Sequence, residues 1–312
     1  MKTLIRGGHL IDPKTSRDGI YDILIEDSVI REVSDAIRKT DGKTQVVDAS
    51  GCIVAPGLID VHCHLREPGF EYKETILTGT SAAVRGGFTT IVCMANTDPV
   101  NDSRSVTEFI IDKARTEGKC KVLPCGAITR GLKGEELAEI GEMFSAGIIA
   151  ISDDGRSVRN AGLMRKALEY AKTFKIPVIS HCEDTMLSGG YVHEGTASLL
   201  NGLEGIPAIA EELMVQRDIA IARYVDAPIH ITHISTGGSV DIIQTARKTF
   251  RKVACDTCPH YFSLTDEATL TFDTNTKVNP PLRSGKDVEA IKEGLRKGVI
   301  DIIATDHAPH EY

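Results

Sequence analysis

The feature that most constrains the fold is an alternation of short apolar runs with helix-length amphipathic segments, which begins near residue 52. Eight apolar runs have the length of a buried strand: 53–61, 88–94, 121–128, 147–152, 177–181, 228–234, 252–256 and 300–305. Seven segments between them have the pattern of surface helices: 74–86, 103–117, 135–146, 162–174, 208–225, 238–250 and 286–297. This alternation is typical of a parallel sheet whose strands are connected by helices. Eight strands is the number that closes a barrel, so we predict an α/β fold with a (β/α)8 TIM-type barrel over residues 52–312.

A doubly wound open sheet is the alternative architecture with the same alternation. Sheets of that kind that bind dinucleotides carry a GxGxxG motif directly after the first strand. The first apolar run here is followed by His62-Cys63-His64-Leu65-Arg66, which contains no glycine. The barrel is therefore the favoured interpretation.

Residues 1–51 have a different pattern, with short strand-like pieces at 4–6, 22–26 and 29–33. Turn-forming residues punctuate them, including Asp12-Pro13 and Asp27-Ser28. We predict a separate small antiparallel sheet over residues 1–51. Only a few residues follow the eighth apolar run, so we expect the barrel portion to lack its last helix.

Composition narrows the functional class. The net charge of −8 argues against nucleic acid or an anionic membrane as the main partner. The chain has no apolar run of 18 residues and no signal peptide after Met1, so we expect a cytoplasmic protein. We expect its eight cysteines to be reduced and mostly buried. The spacing of Cys255 and Cys258 alone is weak evidence for zinc or redox chemistry.

Imidazole or carboxylate groups follow five of the eight predicted strands, at the barrel face where active sites lie. His62 and His64 share one face of the first strand because side chains alternate along a strand. The other positions are Asp153 or Asp154 after the fourth strand, His181 after the fifth, His233 after the sixth and Asp306 after the eighth. His230 lies three residues before His233, so it points the other way, and we expect a structural role for it.

Each of these signals has an ordinary explanation when taken alone. Two histidines can simply be hydrogen-bonded, and Asp153-Asp154-Gly155 is a common turn. Their coincidence on one barrel face instead indicates a catalytic site for Zn²⁺, Mn²⁺ or Co²⁺. Four histidines and two aspartates exceed the needs of one tetrahedral ion, which favours two metals. We expect His193 to be solvated, and His260 to pack near the site without binding metal.

The motifs resemble those of the dihydroorotase family, in its longer bacterial and archaeal type, within the amidohydrolase superfamily. The segments that carry the resemblance are Asp60-Val61-His62-Cys63-His64-Leu65-Arg66-Glu67-Pro68-Gly69, Gly86-Gly87-Phe88-Thr89-Thr90, Met94-Ala95-Asn96-Thr97-Asp98-Pro99, Ser152-Asp153-Asp154-Gly155, Cys258-Pro259-His260, Val278-Asn279-Pro280-Pro281-Leu282-Arg283 and Ala304-Thr305-Asp306-His307-Ala308-Pro309-His310. They are similar to the family in order and spacing over essentially the whole chain. Relatives continue beyond this point, and the resemblance implies that such a continuation supplies the last helix and completes a β-sandwich with residues 1–51.

The resemblance implies one or two zinc ions per chain. It assigns His62, His64 and Asp306 to the first ion, His181 and His233 to the second, and Asp154 to the position that bridges them. The implied reaction is the reversible hydrolysis of dihydroorotate to N-carbamoyl-L-aspartate in de novo pyrimidine biosynthesis, with Asp306 as the proton shuttle.

The resemblance also assigns substrate contacts. Arg66, Asn96 and His310 would bind the substrate carboxylate, and Asn279 would lie near the polar edge of the ring. Without the resemblance, Arg66 could be a surface arginine paired with Glu67, and Asn96 an ordinary turn residue. A guanidinium is well suited to a carboxylate because it can donate two parallel hydrogen bonds.

Two other functions remain as alternatives. Hydantoinases, dihydropyrimidinases and allantoinases share the barrel, but they favour a bridging lysine, and residues 149–154 contain none. A non-catalytic scaffold for aspartate transcarbamoylase would lose metal ligands, whereas all six are present here. A homo-oligomer and an association with aspartate transcarbamoylase are expectations that rest on the family alone.

Overall fold

The computed structural model describes residues 1–38 and 42–311, and it divides into two compact units, Met1–Leu58 and Ile59–Tyr312. The described strands are β1 (Lys2–Asp12), β2 (Arg17–Glu26), β3 (Val29–Ser34), β4 (Gln45–Asp48), β5 (Ile53–Val54), β6 (Leu58–Cys63), β7 (Phe88–Cys93), β8 (Lys121–Gly126), β9 (Ala150–Ser152), β10 (Val178–Ser180), β11 (Val192–His193), β12 (Gly205–Ile206), β13 (Ile229–Ile231), β14 (Val253–Thr257) and β15 (Ile302–Ile303).

The first unit is a five-stranded sheet in which β3, β2, β1 and β4 are neighbours in that order. β1 pairs antiparallel with β2, and β2 pairs antiparallel with β3, as the sequence predicts. The short strands β4, which was not predicted, and β5, which was predicted as part of the barrel, instead run parallel to β1. The sheet is therefore mixed.

The second unit contains an eight-stranded sheet with the order β6, β7, β8, β9, β10, β13, β14, β15. This is the order along the chain, as expected for a (β/α)8 barrel. Between the two ends, His64 N donates to His307 O at 2.8 Å and Asp306 N donates to His62 O at 3.0 Å. These bonds bring the first and eighth strand ends together, which confirms the predicted barrel.

The helices of the second unit are α1 (Ile76–Arg85), α2 (Arg104–Glu117), α3 (Ile140–Ala146), α4 (Ala161–Phe174), α5 (Thr196–Asn201), α6 (Ile209–Val225), α7 (Gly237–Ala246), α8 (Pro259–Ser263) and α9 (Gly285–Arg296). The seven predicted helices correspond to α1–α4, α6, α7 and α9. Side chains of Thr75, Asn160, Thr236 and Ser284 accept hydrogen bonds from backbone N–H groups in the first turns of α1, α4, α7 and α9. Each such cap stabilises a helix by about 1 kcal/mol.

The core lies between the barrel strands and these helices. On α4, Met164, Leu168 and Ala171 are each at most 1% exposed. They belong to a cluster that includes Val178 of β10 and Val215 of α6. Burial of this apolar stripe positions the strands, and therefore the residues that follow them.

One predicted strand proved to be two elements. Residues 53–61 were predicted as a single barrel strand, but Ile53–Val54 pair with β1 in the first unit, and the barrel strand begins at Leu58. Pro56 and Gly57 lie between the two pieces. Proline cannot donate a backbone hydrogen bond, which explains why strand pairing is interrupted there.

The cysteines are free thiols, and six of the eight are buried, including Cys255 and Cys258. Burial raises the pKa of Cys255 to about 12, so its thiol is neutral at physiological pH. Among the described residues, no helix has both the length and the apolar character needed to cross a bilayer.

Candidate metal centre

The six predicted metal-binding side chains meet at the carboxyl ends of the barrel strands. They come from the ends of β6, β9, β10, β13 and β15. His62, His64, Asp154, His181 and His233 are each at most 5% exposed, and the Asp306 side chain is 13% exposed. The fold thus gathers residues that are up to 244 positions apart into one buried group.

Three of these residues form the first half of the centre. His62 Nε2 lies 3.3 Å from His64 Nε2. Asp306 Oδ1 lies 3.5 Å from His62 Nε2 and 3.1 Å from His64 Nε2. Each residue therefore directs one ligand atom toward a common point.

The second half is formed by His181 and His233. His181 Nδ1 lies 2.8 Å from His233 Nε2. Asp154 stands between the halves, because its Oδ2 lies 3.4 Å from His62 Nε2 and its Oδ1 lies 3.3 Å from His233 Nε2. One carboxylate oxygen thus faces each half.

The distances around His62 and Asp154 fit a metal ion, whereas the 2.8 Å between His181 Nδ1 and His233 Nε2 is a hydrogen-bond distance. Two nitrogen ligands, each about 2.0–2.1 Å from a tetrahedral zinc ion, lie about 3.3 Å apart. Two overlapping groups have ligand atoms within 4.8 Å of one another, His62 with His64 and Asp306, and His62 with Asp154 and His233. Imidazoles and carboxylates without thiolates are ligands typical of catalytic divalent metals.

The electrostatics of the group also fit a cation. Burial disfavours the imidazolium form, but the charges of Asp154 and Asp306 outweigh it and raise the pKa of His62 to about 10. Burial likewise disfavours the charged form of His181, but its hydrogen bonds with Asp154 and Glu183 raise its pKa to about 9. Burial opposes ionisation of Asp306, yet its contacts with His64 and His62 lower its pKa to about 2. The carboxylates therefore hold positive charge in this buried space, as a site for a divalent cation requires.

The backbone at the site is strained. Arg66, His233 and Asp306 have positive φ values of 62°, 40° and 48°. Side chains other than glycine rarely adopt this region, and such strain is found mainly at functional sites. Asp60 supports the last of these turns, since its Oδ1 accepts a hydrogen bond from Thr305 N at 3.0 Å. Sequence analysis missed this role of Asp60, although the residue opens the metal-binding motif.

The residues predicted to bind the substrate carboxylate lie beside the first half of the centre. Arg66 is buried, and its Nη2 lies 3.3 Å from His310 Nε2. Asn96 Oδ1 lies 2.8 Å from His64 Nδ1, so the amide oxygen accepts the imidazole N–H and leaves the amide NH₂ for another partner. Lys73, which was not predicted, approaches His310 Nδ1 at 3.4 Å. Several cationic or N–H donors thus converge here.

Asn279 lies beside the second half of the centre. It is exposed, and its Nδ2 donates to Glu183 Oε2 at 3.4 Å. Glu183 in turn lies 3.3 Å from His181 Nε2. Sequence analysis missed Glu183, although its position two residues after His181 places both side chains on the same side of an extended segment.

Two histidines outside the predicted set, His193 and His260, behave differently from each other. His193, expected to be solvated, is 8% exposed, and its Nδ1 lies 3.3 Å from Arg283 Nη1, so that prediction is wrong. His193 is the second residue of β11, and its pairing with Ile206 of β12 fixes its position. His260 belongs to neither metal-ligand group, and its buried Nε2 has no hydrogen-bond partner among the residues that the structure describes.

Comparison with known proteins places the chain in a family. The family described as Dihydro-orotase-like matches residues 51–239. A dihydroorotase from Acetivibrio thermocellus is 57% identical over 308 residues, covering 98% of this chain and 72% of that protein. A dihydroorotase from Ruminiclostridium cellulolyticum is 53% identical over 311 residues, and the match covers 99% of this chain and 72% of that protein.

Solved structures establish the likeness of the fold. An L-hydantoinase (dihydropyrimidinase) from Arthrobacter aurescens has a TM-score of 0.85 at 20% identity, covering 99% of this chain and 69% of that chain. A dihydropyrimidinase from Brevibacillus agri has a TM-score of 0.84 at 24% identity, covering 100% of this chain and 70% of its own. The fold is thus shared with these two proteins, and the sequence relationship decides the family: this chain belongs to the dihydroorotase family.

Proposed function

We propose that this chain catalyses the reversible hydrolysis of (S)-dihydroorotate to N-carbamoyl-L-aspartate, with zinc in its metal centre. The observation that carries the proposal is the position of Arg66, a buried guanidinium next to six candidate metal ligands, of which all but Asp306 are at most 5% exposed. That combination suits a cyclic amide that carries a carboxylate. Relatives at 57% and 53% identity over nearly the whole chain bear the name dihydroorotase.

The metal would be held in two sets of ligands. His62, His64 and Asp306 would bind the first zinc ion and His181 and His233 the second, with Asp154 between them. When bound, zinc supplies Lewis acidity that polarises the scissile carbonyl and makes water a better nucleophile at neutral pH. Occupancy of one or of both positions is compatible with the ligand count.

The chain's own groups supply proton transfer and orientation. Asp306 is ionised at neutral pH, since its pKa is about 2, so its carboxylate can accept a proton from the attacking water. The same carboxylate then gives that proton to the ring nitrogen as the amide bond breaks. Arg66 and His310 hold the substrate carboxylate, and the amide of Asn96 donates from the other side. In the ring-closing direction the same groups act in reverse order.

The alternative functions have less support. A hydantoinase, dihydropyrimidinase or allantoinase would favour lysine at the bridging position, which is Asp154 here. The two solved structures described above, a hydantoinase and a dihydropyrimidinase, are 20% and 24% identical to this chain, so they support only the fold. A non-catalytic scaffold for aspartate transcarbamoylase does not require six converging metal-ligand side chains, and all six are present here. Homo-oligomerisation and binding to that transcarbamoylase stay as predictions, and analytical ultracentrifugation with and without the partner tests both.

A substrate panel tests the proposal. The zinc-loaded protein is assayed with dihydroorotate, hydantoin, allantoin and dihydrouracil. We expect dihydroorotate to have the highest kcat/KM, and a higher value for any ring without a carboxylate would contradict the proposal. Asp306→Asn should lower turnover of dihydroorotate by about 10²–10⁴-fold through loss of the proton acceptor. Metal content of the variant is measured in parallel, because Asp306 is also a ligand.

A further inference from the structure

A buried chain of polar groups lies behind His62, on the side away from the metal-ligand atoms. His62 Nδ1 lies 2.7 Å from Thr232 Oγ1, and Thr232 Oγ1 donates to Asp256 Oδ2 at 2.9 Å. His230 Nε2 reaches the same Asp256 oxygen at 2.5 Å. Thr232 and Asp256 are at most 1% exposed, and His230 is 9% exposed. Water therefore cannot readily replace any of these side chains as a hydrogen-bond partner.

The direction of these hydrogen bonds is fixed by proton counting. A threonine hydroxyl has one proton to donate. Thr232 gives that proton to Asp256, so its oxygen can only accept from His62 Nδ1. His62 therefore carries a proton on Nδ1, and it is Nε2 that is free to exchange its proton for a metal ion.

The same carboxylate supports a second metal-ligand residue. Asp256 Oδ1 accepts a hydrogen bond from the backbone N–H of His233 at 2.7 Å. His233 has a φ of 40°, which a residue other than glycine adopts only when its surroundings enforce it. One buried side chain thus constrains a ligand in each half of the centre.

We propose that Thr232 and Asp256 are positioning residues, which fix the tautomer of His62 and the backbone of His233 and thereby set the metal affinity of the centre. The inference rests on the metal centre proposed above and adds the groups that orient it. Groups that hold the second nitrogen of a metal-binding histidine typically change metal affinity by about 10–100-fold when they are removed.

The matching variants separate this role from simple packing. Thr232→Val removes the acceptor for His62 at nearly constant volume, and Thr232→Ser restores it. Asp256→Asn places an N–H where Thr232 now donates, which turns the threonine proton toward His62 Nδ1 and opposes the required tautomer. Thr257→Val is the control, because Thr257 is also fully buried and its hydroxyl donates to Ile234 O at 2.8 Å rather than to a candidate metal ligand.

Zinc dissociation constants, measured by competition with a chelator, provide the readout. We expect Thr232→Val and Asp256→Asn to bind zinc about 10–100-fold more weakly, with Thr232→Ser and Thr257→Val within about threefold of the unmodified protein. In zinc-loaded protein, the Nδ1–H proton of His62 should be protected from exchange in Thr232→Ser and exposed to it in Thr232→Val. This signal is assigned by its absence in His62→Asn.

Two results would overturn the inference. The first is zinc binding by Thr232→Val within threefold of the unmodified protein. The second is an equal loss in Thr257→Val, which would mean that any lost hydroxyl has the same effect. If Asp256→Asn does not fold, the Thr232 pair decides alone. Failure of the unmodified protein to bind zinc or open dihydroorotate would instead contradict the proposed function, so the two failures are distinguishable.

Discussion

Replacement of Arg66 by methionine is the sharpest test of substrate recognition. Arg66 Nε donates to Pro309 O at 3.2 Å, and Nη2 lies 3.3 Å from His310 Nε2. A guanidinium has five N–H donors, so three are left for a ligand. Methionine keeps an unbranched stem of similar length and meets the positive φ of 62° at a similar cost. The change therefore removes chiefly the charged donors.

The expected loss follows from the bonds that methionine cannot make. Two hydrogen bonds to a charged carboxylate contribute about 1.5–3 kcal/mol each. Taking about 3–4 kcal/mol for the pair, kcat/KM for dihydroorotate should fall by about 10²–10³-fold. The carboxylate is remote from the bond that breaks, so we expect the loss mostly in KM and little in kcat.

Steady-state kinetics with two substrates isolates this effect. Dihydrouracil has the same ring without the carboxylate, so its kcat/KM should fall at least about 30-fold less than that of dihydroorotate. Arg66→Lys keeps the charge but loses the two parallel donors, and it should lie between the methionine variant and the unmodified protein. Equal losses for both substrates, or an unchanged KM for dihydroorotate, would refute the assigned role.

Three further predictions concern stability, measured by urea unfolding. Glu211→Gln should lower the free energy of unfolding by about 3–5 kcal/mol, because it leaves the buried guanidinium of Arg283, 3.6 Å away, without its charged partner; a loss below about 1 kcal/mol would contradict this. Burial and the Arg283 charge lower the pKa of His193 in the folded protein, so the free energy of unfolding should decrease as pH falls below about 6.5, where the unfolded chain takes up the proton first. His193→Gln should show a shallower decrease, and identical pH profiles would exclude this cause. Gly69→Ala should cost about 1–3 kcal/mol or more, since φ is 97° and a Cβ would lie 2.0 Å from Asp98 O; unchanged stability would show that this loop adapts freely.

The fold and the convergence of the six candidate metal ligands could be predicted because their signals are local. Each barrel strand is a short apolar run, and each ligand follows such a run directly, as Asp154 follows β9 and His181 follows β10. The carboxyl ends of all barrel strands lie on one face of the barrel. The convergence of these residues could therefore be predicted without knowing any distance.

The supporting groups could not be predicted because their partners are distant in sequence. Thr232 contacts His62 across 170 residues, and Arg283 contacts His193 across 90. Neither pair forms a motif, and each contact depends on how far two strands or loops are offset. The division of residues 53–61 between two sheets was missed for a related reason, because an apolar run alone does not reveal which sheet it joins.

The central claim is that the six converging side chains bind metal ions on which catalysis depends. Metal-free protein, prepared with a chelator, is titrated with zinc while ring opening of dihydroorotate is followed. The account predicts no turnover without metal and full recovery at one or two equivalents of zinc per chain, with no recovery in His62→Ala. Turnover by the chelated protein at the rate of the zinc-loaded protein would contradict it.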